Sequence, residues 1–168
     1  IDAFGYLWPQ VASMASQQPI HLAMIGAGAA GVELALSAAH ALRRPGLPAG
    51  SHVSLVTGGE APAAAYSSAV QARVQRALRR LDISVIPETC IGLEAGAILL
   101  ANGARLVCDA PLLAVGAQAP AWLADSGLAL DDNGFVAVNA FQQSTSHPRV
   151  FAAGDVADPR YRQAITAA

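Results

Sequence analysis

The spacing of hydrophobic and polar residues changes several times along this chain. Short, mostly apolar runs bounded by glycine or polar turns are typical of buried parallel strands. Such runs occupy residues 20–25, 52–56, 83–86 and 111–116. Two longer stretches, residues 29–43 and a segment that Ser67 or Ser68 begins, carry apolar residues three and four positions apart and therefore predict amphipathic helices.

Between residues 90 and 109 the period becomes strand-like. Three short strands are predicted at residues 90–94, 97–101 and 105–109, with Gly96 and Asn102-Gly103 in the turns. This pattern predicts a small antiparallel meander in place of a crossover helix. After residue 116 the sequence predicts a short helix near Trp122 and strands at residues 135–138 and 150–153.

Residues 1–18 show no sustained period, because aromatic residues are mixed there with Gly5 and Pro9. We expect a connecting segment whose aromatic side chains dock on another part of the protein. The whole pattern predicts an α/β fold: a Rossmann-like, three-layer parallel sheet with helices on both faces and an antiparallel β-meander crossover.

Composition and charge exclude several classes of function. Hydrophobic residues make up 54% of the 168 residues, yet no apolar run reaches the length of a transmembrane helix. The net charge of −2 argues against a nucleic-acid partner. The basic cluster formed by Arg73, Arg76, Arg79 and Arg80 is best explained as the solvated face of a helix.

The two cysteines and the four histidines do not form a metal or redox motif. Cys90 and Cys108 lack a CxxC arrangement, and Cys90 is better explained as a buried small hydrophobic residue than as a redox thiol. The histidines have no ligand spacing and give no credible general base. Free thiols are expected in a cytoplasmic protein. The chain begins with Ile1, so we expect it to be a segment of a longer protein.

A GxGxxG motif, Gly26-Ala27-Gly28-Ala29-Ala30-Gly31, lies between a predicted strand and a predicted helix. In this context Gly26 allows a tight turn, Gly28 lets the backbone approach a pyrophosphate, and Gly31 lets the helix pack closely on the strand. The phosphates would bind the free N–H groups at the helix start. The motif therefore predicts a dinucleotide-binding site.

The end of the second strand normally selects between NAD and NADP, through an acidic or a basic residue respectively. Thr57 occupies this position and is neither. Glu60, three residues on, is either a ribose ligand or a solvated loop carboxylate. No arginine or lysine lies between Thr57 and Tyr66, so NAD is favoured, although the choice stays open.

Three motifs together resemble the two-dinucleotide-binding flavoprotein family, which includes the pyridine nucleotide-disulfide reductases and the type II NADH dehydrogenases. The motifs are GAGAAGVE at residues 26–33, AVGAQAP at residues 114–120 and VFAAGDVAD at residues 150–158. The resemblance runs from about Ile20 to Asp158. Residues 122–128, 132–136 and 146–148 look most like the type II NADH dehydrogenase branch, particularly versions fused to selenophosphate synthetases.

The resemblance implies a division of the chain into three parts. Residues 1–18 would connect to a missing half of an FAD domain, residues 19–117 would form the NAD(P)H-binding domain, and residues 118–168 would return with the second FAD motif. Glu33 would lie near the nicotinamide side of the cofactor, and Val115 and Gly116 would belong to the cofactor-binding site. Glu33 is alternatively a helix-start residue with no ligand, because acidic groups are favourable there.

In the FAD motif, Gly154 and Asp155 would hold the flavin, with Asp155 accepting a hydrogen bond from the ribityl chain. The resemblance implies FAD and NAD(P)H as cofactors of the longer protein, with hydride passing to the flavin and on to a quinone or another acceptor. The expected partners are a nicotinamide nucleotide and the remainder of the parent flavoprotein. The expected location is the cytoplasm, with the parent either free or peripheral to the inner face of the membrane.

Some positions depart from the family pattern. Val115 stands where a threonine commonly precedes the glycine, Pro120 lies four rather than three residues after Gly116, and the chain holds no first GxGxxG for FAD. We therefore expect the isolated chain to be inactive and assign it no catalytic residue and no metal ligand. The alternatives are a non-catalytic NAD(H)-binding regulatory module and, with least support, a domain that has lost its ligand.

Overall fold

The computed structural model describes residues 2–159, and for residues 2–6 only the backbone. The helices are α1 (Asp2–Gln17), α2 (Ala29–Leu42) and α3 (Ser68–Arg80). The strands are β1 (His21–Ile25), β2 (His52–Val56), β3 (Ser84–Ile86), β4 (Cys90–Glu94), β5 (Ala97–Leu100), β6 (Arg105–Val107) and β7 (Ala110–Leu113). Residues up to Gly116 form one compact unit, and residues from Ala117 form a second.

The first unit is built on a parallel sheet with the strand order β3-β2-β1-β7. Ile25 at the end of β1 is level with Val56 on β2 and with Leu113 on β7, so the carboxyl ends of these strands meet at one edge. A separate antiparallel sheet has the order β4-β5-β6 and is the predicted meander. It lies in the chain between β3 and β7, where a crossover helix would otherwise stand.

The alternation of side chains along β1 defines two faces of the parallel sheet. Leu22 and Met24 pack with the helices, in a core that also contains residues of α1, α2 and α3. Ala23 and Ile25 point the other way and pack against Ile98 of the meander. The predicted three-layer α/β fold with an antiparallel meander is confirmed, with one difference. The described helices pack on one face only, and the meander covers the face where further helices were expected.

Helix α1 corrects the expectation of an irregular segment at residues 1–18. Val11 and Ala15 are buried, and Trp8 and Met14 pack against the same core. Trp8, Val11 and Ala15 lie three, four and seven positions apart, which is the spacing of one helix face. Pro9 lies inside the helix, where it cannot donate a backbone hydrogen bond. Packing of this apolar face on the sheet therefore outweighs an unfavourable helix residue.

Fewer of the predicted apolar residues are buried on helix α3 than on helix α2. Only Leu78 is buried on α3, whereas Val70 is 36% exposed. Helix α2 instead buries a line of small and branched residues: Gly31, Val32, Ala35, Ala38, Ala39 and Leu42. Helix α2 packs more closely on the sheet than α3, which fits its central position above β1 and β2. No helix among the described residues is long and apolar enough to cross a membrane.

The second unit contains a small core but not the two strands that the sequence predicts there. Residues 135–138 and 150–153 form only isolated bridges, such as Val136 with Ala157 and Gln143 with Phe151. Val136, Val138 and Ala152 of these segments are nevertheless buried together with Leu123 of the 3-10 helix Ala121–Asp125, whereas Phe151 is 63% exposed. The apolar pattern thus predicts part of the burial, while the backbone pairing is too short to make a strand.

Two histidines connect neighbouring strands at the amino edge of the parallel sheet. His21 Nε2 is 2.8 Å from Ser54 Oγ, and His52 Nε2 is 2.9 Å from Ser84 Oγ. The two imidazole centroids are 5.2 Å apart. The backbone N–H of His21 donates to the Asp109 carboxylate at 2.6 Å. This polar cluster joins β1, β2 and β3 to the residue that precedes β7, on the face that the meander covers.

Protonation of His21 should make the fold less stable at acidic pH. Partial burial lowers the pKa of His21 below its ordinary value of 6.5, and His52 adds to the lowering. The Val107 backbone and Asp109 oppose it. Because the folded pKa lies below the unfolded one, the stabilisation is present above about pH 6.5 and is lost as the pH falls below that value and through the lower folded pKa. Urea unfolding between pH 8 and pH 5 measures this loss.

In that series the His21→Gln variant should lose less stability on acidification than the natural chain. The matched control is His40→Gln, because His40 is exposed near the end of α2. Equal pH dependence of His21→Gln and the natural chain would contradict the assignment.

Replacing Val11 with alanine should destabilise the fold, because Val11 is only 3% exposed. The expected loss in the free energy of unfolding is about 1–3 kcal/mol. Leu7→Ala on the same helix is the control, since Leu7 is 42% exposed, and its expected cost is about 0.5 kcal/mol or less. Urea denaturation measures both, and equal effects would show that α1 does not pack as described.

Candidate functional site

The glycine motif lies at the carboxyl edge of the parallel sheet, between the ends of three strands. The Gly26 N–H donates to Val56 O at 2.9 Å, and the Ala114 N–H donates to Ile25 O at 2.7 Å. The turn after β1 is therefore held from both sides, by β2 and by β7. In open α/β sheets this edge is where ligands bind.

Gly26 and Gly31 are required by close backbone contacts. Gly26 has φ of +107°, and a Cβ added there would lie 2.8 Å from the carbonyl carbon of Ala114 and closer still to its oxygen. A Cβ at Gly31 would overlap the Gly26 carbonyl group. The start of α2 thus packs on the turn without a side chain between them, as the sequence predicted for these two positions.

Gly28 differs from both, because an added Cβ there would meet no atom within 4 Å. Gly28, Ala29 and Ala30 are exposed. The first backbone hydrogen bond of α2 runs from the Val32 N–H to Gly28 O at 3.0 Å. The N–H groups that precede it lie at an open helix start, and no side chain caps this end of the helix. Such a site favours a negatively charged group.

The segment that follows β2 is fixed to the glycine turn. The Thr57 N–H donates to Ile86 O, and the Gly58 N–H to Glu88 O, each at 2.9 Å. Further along, the Ala63 N–H donates to Ala27 O at 2.8 Å. Sequence reasoning missed this last contact, since alanine carries no chemical signal for it. This contact is visible in the structure, where Ala63 is buried and has φ of +58°.

Thr57 itself is 8% exposed, and its Oγ1 makes no hydrogen bond within the part of the chain that the structure describes. Glu60 is exposed. The residue that follows β2 therefore carries a buried neutral hydroxyl, and the nearby Glu60 carboxylate belongs to the solvent-facing loop.

The other nucleotide-site candidates of the first unit lie at its surface. Glu33 is exposed on α2 and lies beyond its first turn, so it does not cap the helix start. Val115 is 66% exposed, and Gly116 is exposed with φ of +103°. Both follow the end of β7. All three residues are accessible to a ligand.

In the second unit, Gly154 and Asp155 belong to a 3-10 helix, Gly154–Val156. Gly154 has φ of +69°, and an added Cβ would meet nothing within 4 Å. Asp155 is exposed. Asp158, which follows in the same motif, is 1% exposed. The motif thus presents one accessible carboxylate and buries another.

The cysteines do not form a redox pair in the structure. Cys90 and Cys108 are free thiols, and Cys108 is buried in the core under the meander. Burial raises the pKa of the Cys108 thiol, and the neighbouring Asp109 carboxylate adds to this, so the thiolate is disfavoured. Among the described residues, no three His, Cys, Asp or Glu side chains form a possible metal site.

Alanine at position 31 should destabilise the fold far more than alanine at position 28. Because its Cβ would overlap the Gly26 carbonyl group, Gly31→Ala should cost at least about 2–3 kcal/mol of unfolding free energy. Gly28→Ala, with open space around it and φ of −67°, should stay within about 1 kcal/mol of the natural chain. Urea denaturation compares them, and a Gly31→Ala chain of undiminished stability would refute the packing.

Comparison with proteins of known sequence finds thioredoxin reductases. Thioredoxin reductase 1, mitochondrial, of Arabidopsis thaliana is 39% identical over 77 residues, covering 46% of this chain and 20% of that protein. Thioredoxin reductase 2 of the same plant is 34% identical over 107 residues, covering 56% and 28%. The thioredoxin reductase of Chlamydia trachomatis is 36% identical over 92 residues, covering 54% and 25%. The matches thus span between a fifth and just over a quarter of these relatives.

Several solved structures have a similar fold. Reduced Bacillus anthracis CoADR-RHD superposes with a TM-score of 0.63 at 29% identity, over 83% of this chain and 24% of that one. Two further structures, at lower identity, support the fold alone. They are an NAD-dependent persulfide reductase from A. fulgidus (TM-score 0.66, 20% identity, covering 89% and 27%) and the water-forming NADH oxidase of Lactobacillus brevis bound to NADH (0.64, 21%, 88% and 32%).

The family assignment comes from a match over nearly the whole chain. The sequence pattern of the pyridine nucleotide-disulphide oxidoreductases fits residues 10–168. This span contains the glycine turn, the meander and the Gly154-Asp155 motif, which are the features described above. The chain therefore belongs to the pyridine nucleotide-disulphide oxidoreductase family.

Proposed function

We propose that this chain is the NAD(P)H-binding part of an FAD-dependent oxidoreductase in which hydride passes from the nicotinamide to the flavin. The observation that carries the proposal is the difference between the three glycines. Gly26 and Gly31 are closed in by backbone atoms, whereas Gly28 faces open space at an uncapped helix start. A ligand that approaches the backbone would account for a glycine at the open position, since no packing contact of the described residues requires one there.

The pyrophosphate of the nucleotide would bind at Gly28, Ala29, Ala30 and Gly31. These residues lie ahead of the first helical hydrogen bond, and the positive end of the helix dipole favours phosphate. Glu33 and the pair Val115 and Gly116 would lie toward the nicotinamide. Their exposure supports this role, which rests on the family resemblance. This chain would supply binding and orientation, while the bound cofactors would supply the redox chemistry.

NAD is the favoured nucleotide. The loop from Thr57 to Tyr66 contains no arginine or lysine to receive a 2′-phosphate, and the exposed Glu60 carboxylate would repel one. The repulsion should be modest, because exposed charges are screened by salt.

Residues of the second unit would contribute to the flavin site of the longer protein. The exposed Asp155 carboxylate is a suitable acceptor for a flavin hydroxyl, and the open space at Gly154 leaves room for a ligand beside the backbone. We propose that the chain has three parts. Residues 1–18 connect to the FAD domain, residues 19–117 bind NAD(P)H, and residues 118–168 lead back into the FAD domain. The rest of the parent flavoprotein is then this chain's partner.

The final electron acceptor is proposed to be a quinone or another acceptor that needs no thiol from this chain. Cys90 and Cys108 are not paired, and the burial of Cys108 disfavours its thiolate. We propose the cytoplasm as the location, because both cysteines are free thiols.

Calorimetric titration of the chain with NADH and with NADPH tests the proposal. Saturable binding is expected, with NADH tighter. A leucine at position 28 should weaken NADH binding about tenfold or more, because its side chain would occupy the pyrophosphate position. The control variant is His40→Leu, an exposed position at the other end of α2 that should bind as the natural chain does.

Equal affinity of the Gly28→Leu and His40→Leu variants would exclude the glycine turn as the binding site. Binding of neither nucleotide by the natural chain would exclude the function as a property of this domain. If NADH binds and the intact flavoprotein fails to reduce its flavin with NADH, the regulatory alternative would replace the catalytic one.

A further inference from the structure

The loop between β2 and α3 is exposed except where it meets the glycine turn. Residues 58–61 and 64–67 face solvent, whereas Pro62 and Ala63 are buried. The Ala63 N–H donates to Ala27 O at 2.8 Å, so the loop is attached to the residue between the first two glycines of the motif. This attachment lies near the middle of the loop, away from both of its ends.

The hydrogen bond from Ala63 fixes one peptide group of the glycine turn. The carbonyl of Ala27 and the N–H of Gly28 belong to the same peptide group, which is planar and trans. The C=O and N–H bonds of such a group point in opposite directions. The loop therefore holds the Ala27 carbonyl on its own side and directs the Gly28 N–H away from itself. That N–H is one of the groups ahead of the first hydrogen bond of α2.

Ala63 adopts a backbone conformation that alanine avoids. Its φ of +58° lies in the left-handed region, where the Cβ comes too close to the following carbonyl oxygen. A residue stays in this region only when the surrounding structure enforces it. The contact with Ala27 is one such restraint, and the Tyr66 N–H, which donates to Ala63 O at 2.9 Å, is another. The attachment of the loop to the turn therefore depends on the residues that follow Ala63.

The Gln71 side chain holds these following residues from α3. Its Nε2 donates to Tyr66 O at 2.8 Å and to Ala64 O at 3.2 Å. A side-chain amide carries two N–H donors, so both bonds can form at once. The Gln71 backbone N–H donates to Ser67 O at 3.0 Å, which places the residue in the first turn of α3. The loop is thus restrained by the glycine turn on one side and by α3 on the other.

We infer that Gln71 is a positioning residue for the phosphate-binding N–H groups of the glycine turn. This inference rests on the proposed function. The amide of Gln71 holds residues 64–66, these residues hold Ala63, and the Ala63 N–H sets the direction of the Gly28 N–H. Gln71 acts through these contacts and need not touch the nucleotide. When the competent arrangement is populated for a smaller fraction of the time, the apparent dissociation constant rises by the same factor.

The test compares Gln71→Met, which keeps the length of the side chain and removes both donors, with Gln75→Met. Gln75 is exposed on the same helix, so the change of residue type is matched. Calorimetry measures the binding of NADH and of ADP-ribose, which lacks the nicotinamide. Gln71→Met should weaken both ligands by the same factor, roughly three- to tenfold, because two neutral hydrogen bonds are lost. Gln75→Met should bind both as the natural chain does.

Hydrogen exchange at the Ala63 amide reports the contact itself. In Gln71→Met this N–H should exchange faster by about threefold or more, because local opening of the loop becomes more frequent. The urea midpoint of Gln71→Met should stay close to that of Gln75→Met, since both lost hydrogen bonds lie at the surface.

Natural affinity of Gln71→Met would overturn the inference, and so would unchanged exchange at Ala63. A lower urea midpoint with faster exchange throughout α3 would assign the side chain to the fold and overturn it as well. Equal losses of affinity in Gln71→Met and Gln75→Met would attribute the effect to the helix and have the same consequence. If the natural chain binds neither ligand while Gln71→Met still speeds exchange at Ala63, the contact is real but the proposed function fails, and the positioning role fails with it.

Discussion

The structure depends on one close contact between backbone segments: the start of α2 packs directly on the turn that leaves β1. Gly31 lies against the Gly26 carbonyl group, and Gly26 lies against Ala114 at the end of β7. No side chain fits in either place. The contact fixes the helix start at the carboxyl edge of the sheet, and the open Gly28 and the exposed N–H groups follow from it.

The other elements of the first unit pack around the contact between α2 and the glycine turn. Apolar residues of three helices cover one face of the sheet, and the meander covers the other. The Ala63 hydrogen bond to Ala27 ties the loop after β2 to the same turn. A nucleotide that binds at this edge, as proposed, would require little reorganisation of the strands and the loop, which would lower the entropic cost of binding. The family relationship, which covers residues 10–168, is consistent with such a scaffold.

Much of the parallel sheet could be predicted from the sequence, because its strands are short apolar runs bounded by glycine or polar turns and the central strands β1 and β2 are buried on both faces. The glycine motif was informative for a different reason: close backbone contacts require Gly26 and Gly31, and Gly28 is proposed to leave room for a ligand. Helix α1 was missed because Pro9 and the mixed aromatic composition obscured the spacing of Trp8, Val11 and Ala15. In the second unit the apolar pattern around Val136 predicted burial correctly but not strand pairing, which depends on partners distant in the chain. The unpaired Thr57 hydroxyl is equally a tertiary property.

The central claim is that the start of α2 receives the nucleotide phosphates. Backbone amide NMR of the labelled chain during titration with NADH tests it most directly, because it reports each N–H group separately. If the phosphates bind there, the largest shifts should occur at Gly28, Ala29, Ala30 and Gly31. Large shifts confined to the amino edge of the sheet, around His21 and His52, with none at the glycine turn, would contradict it.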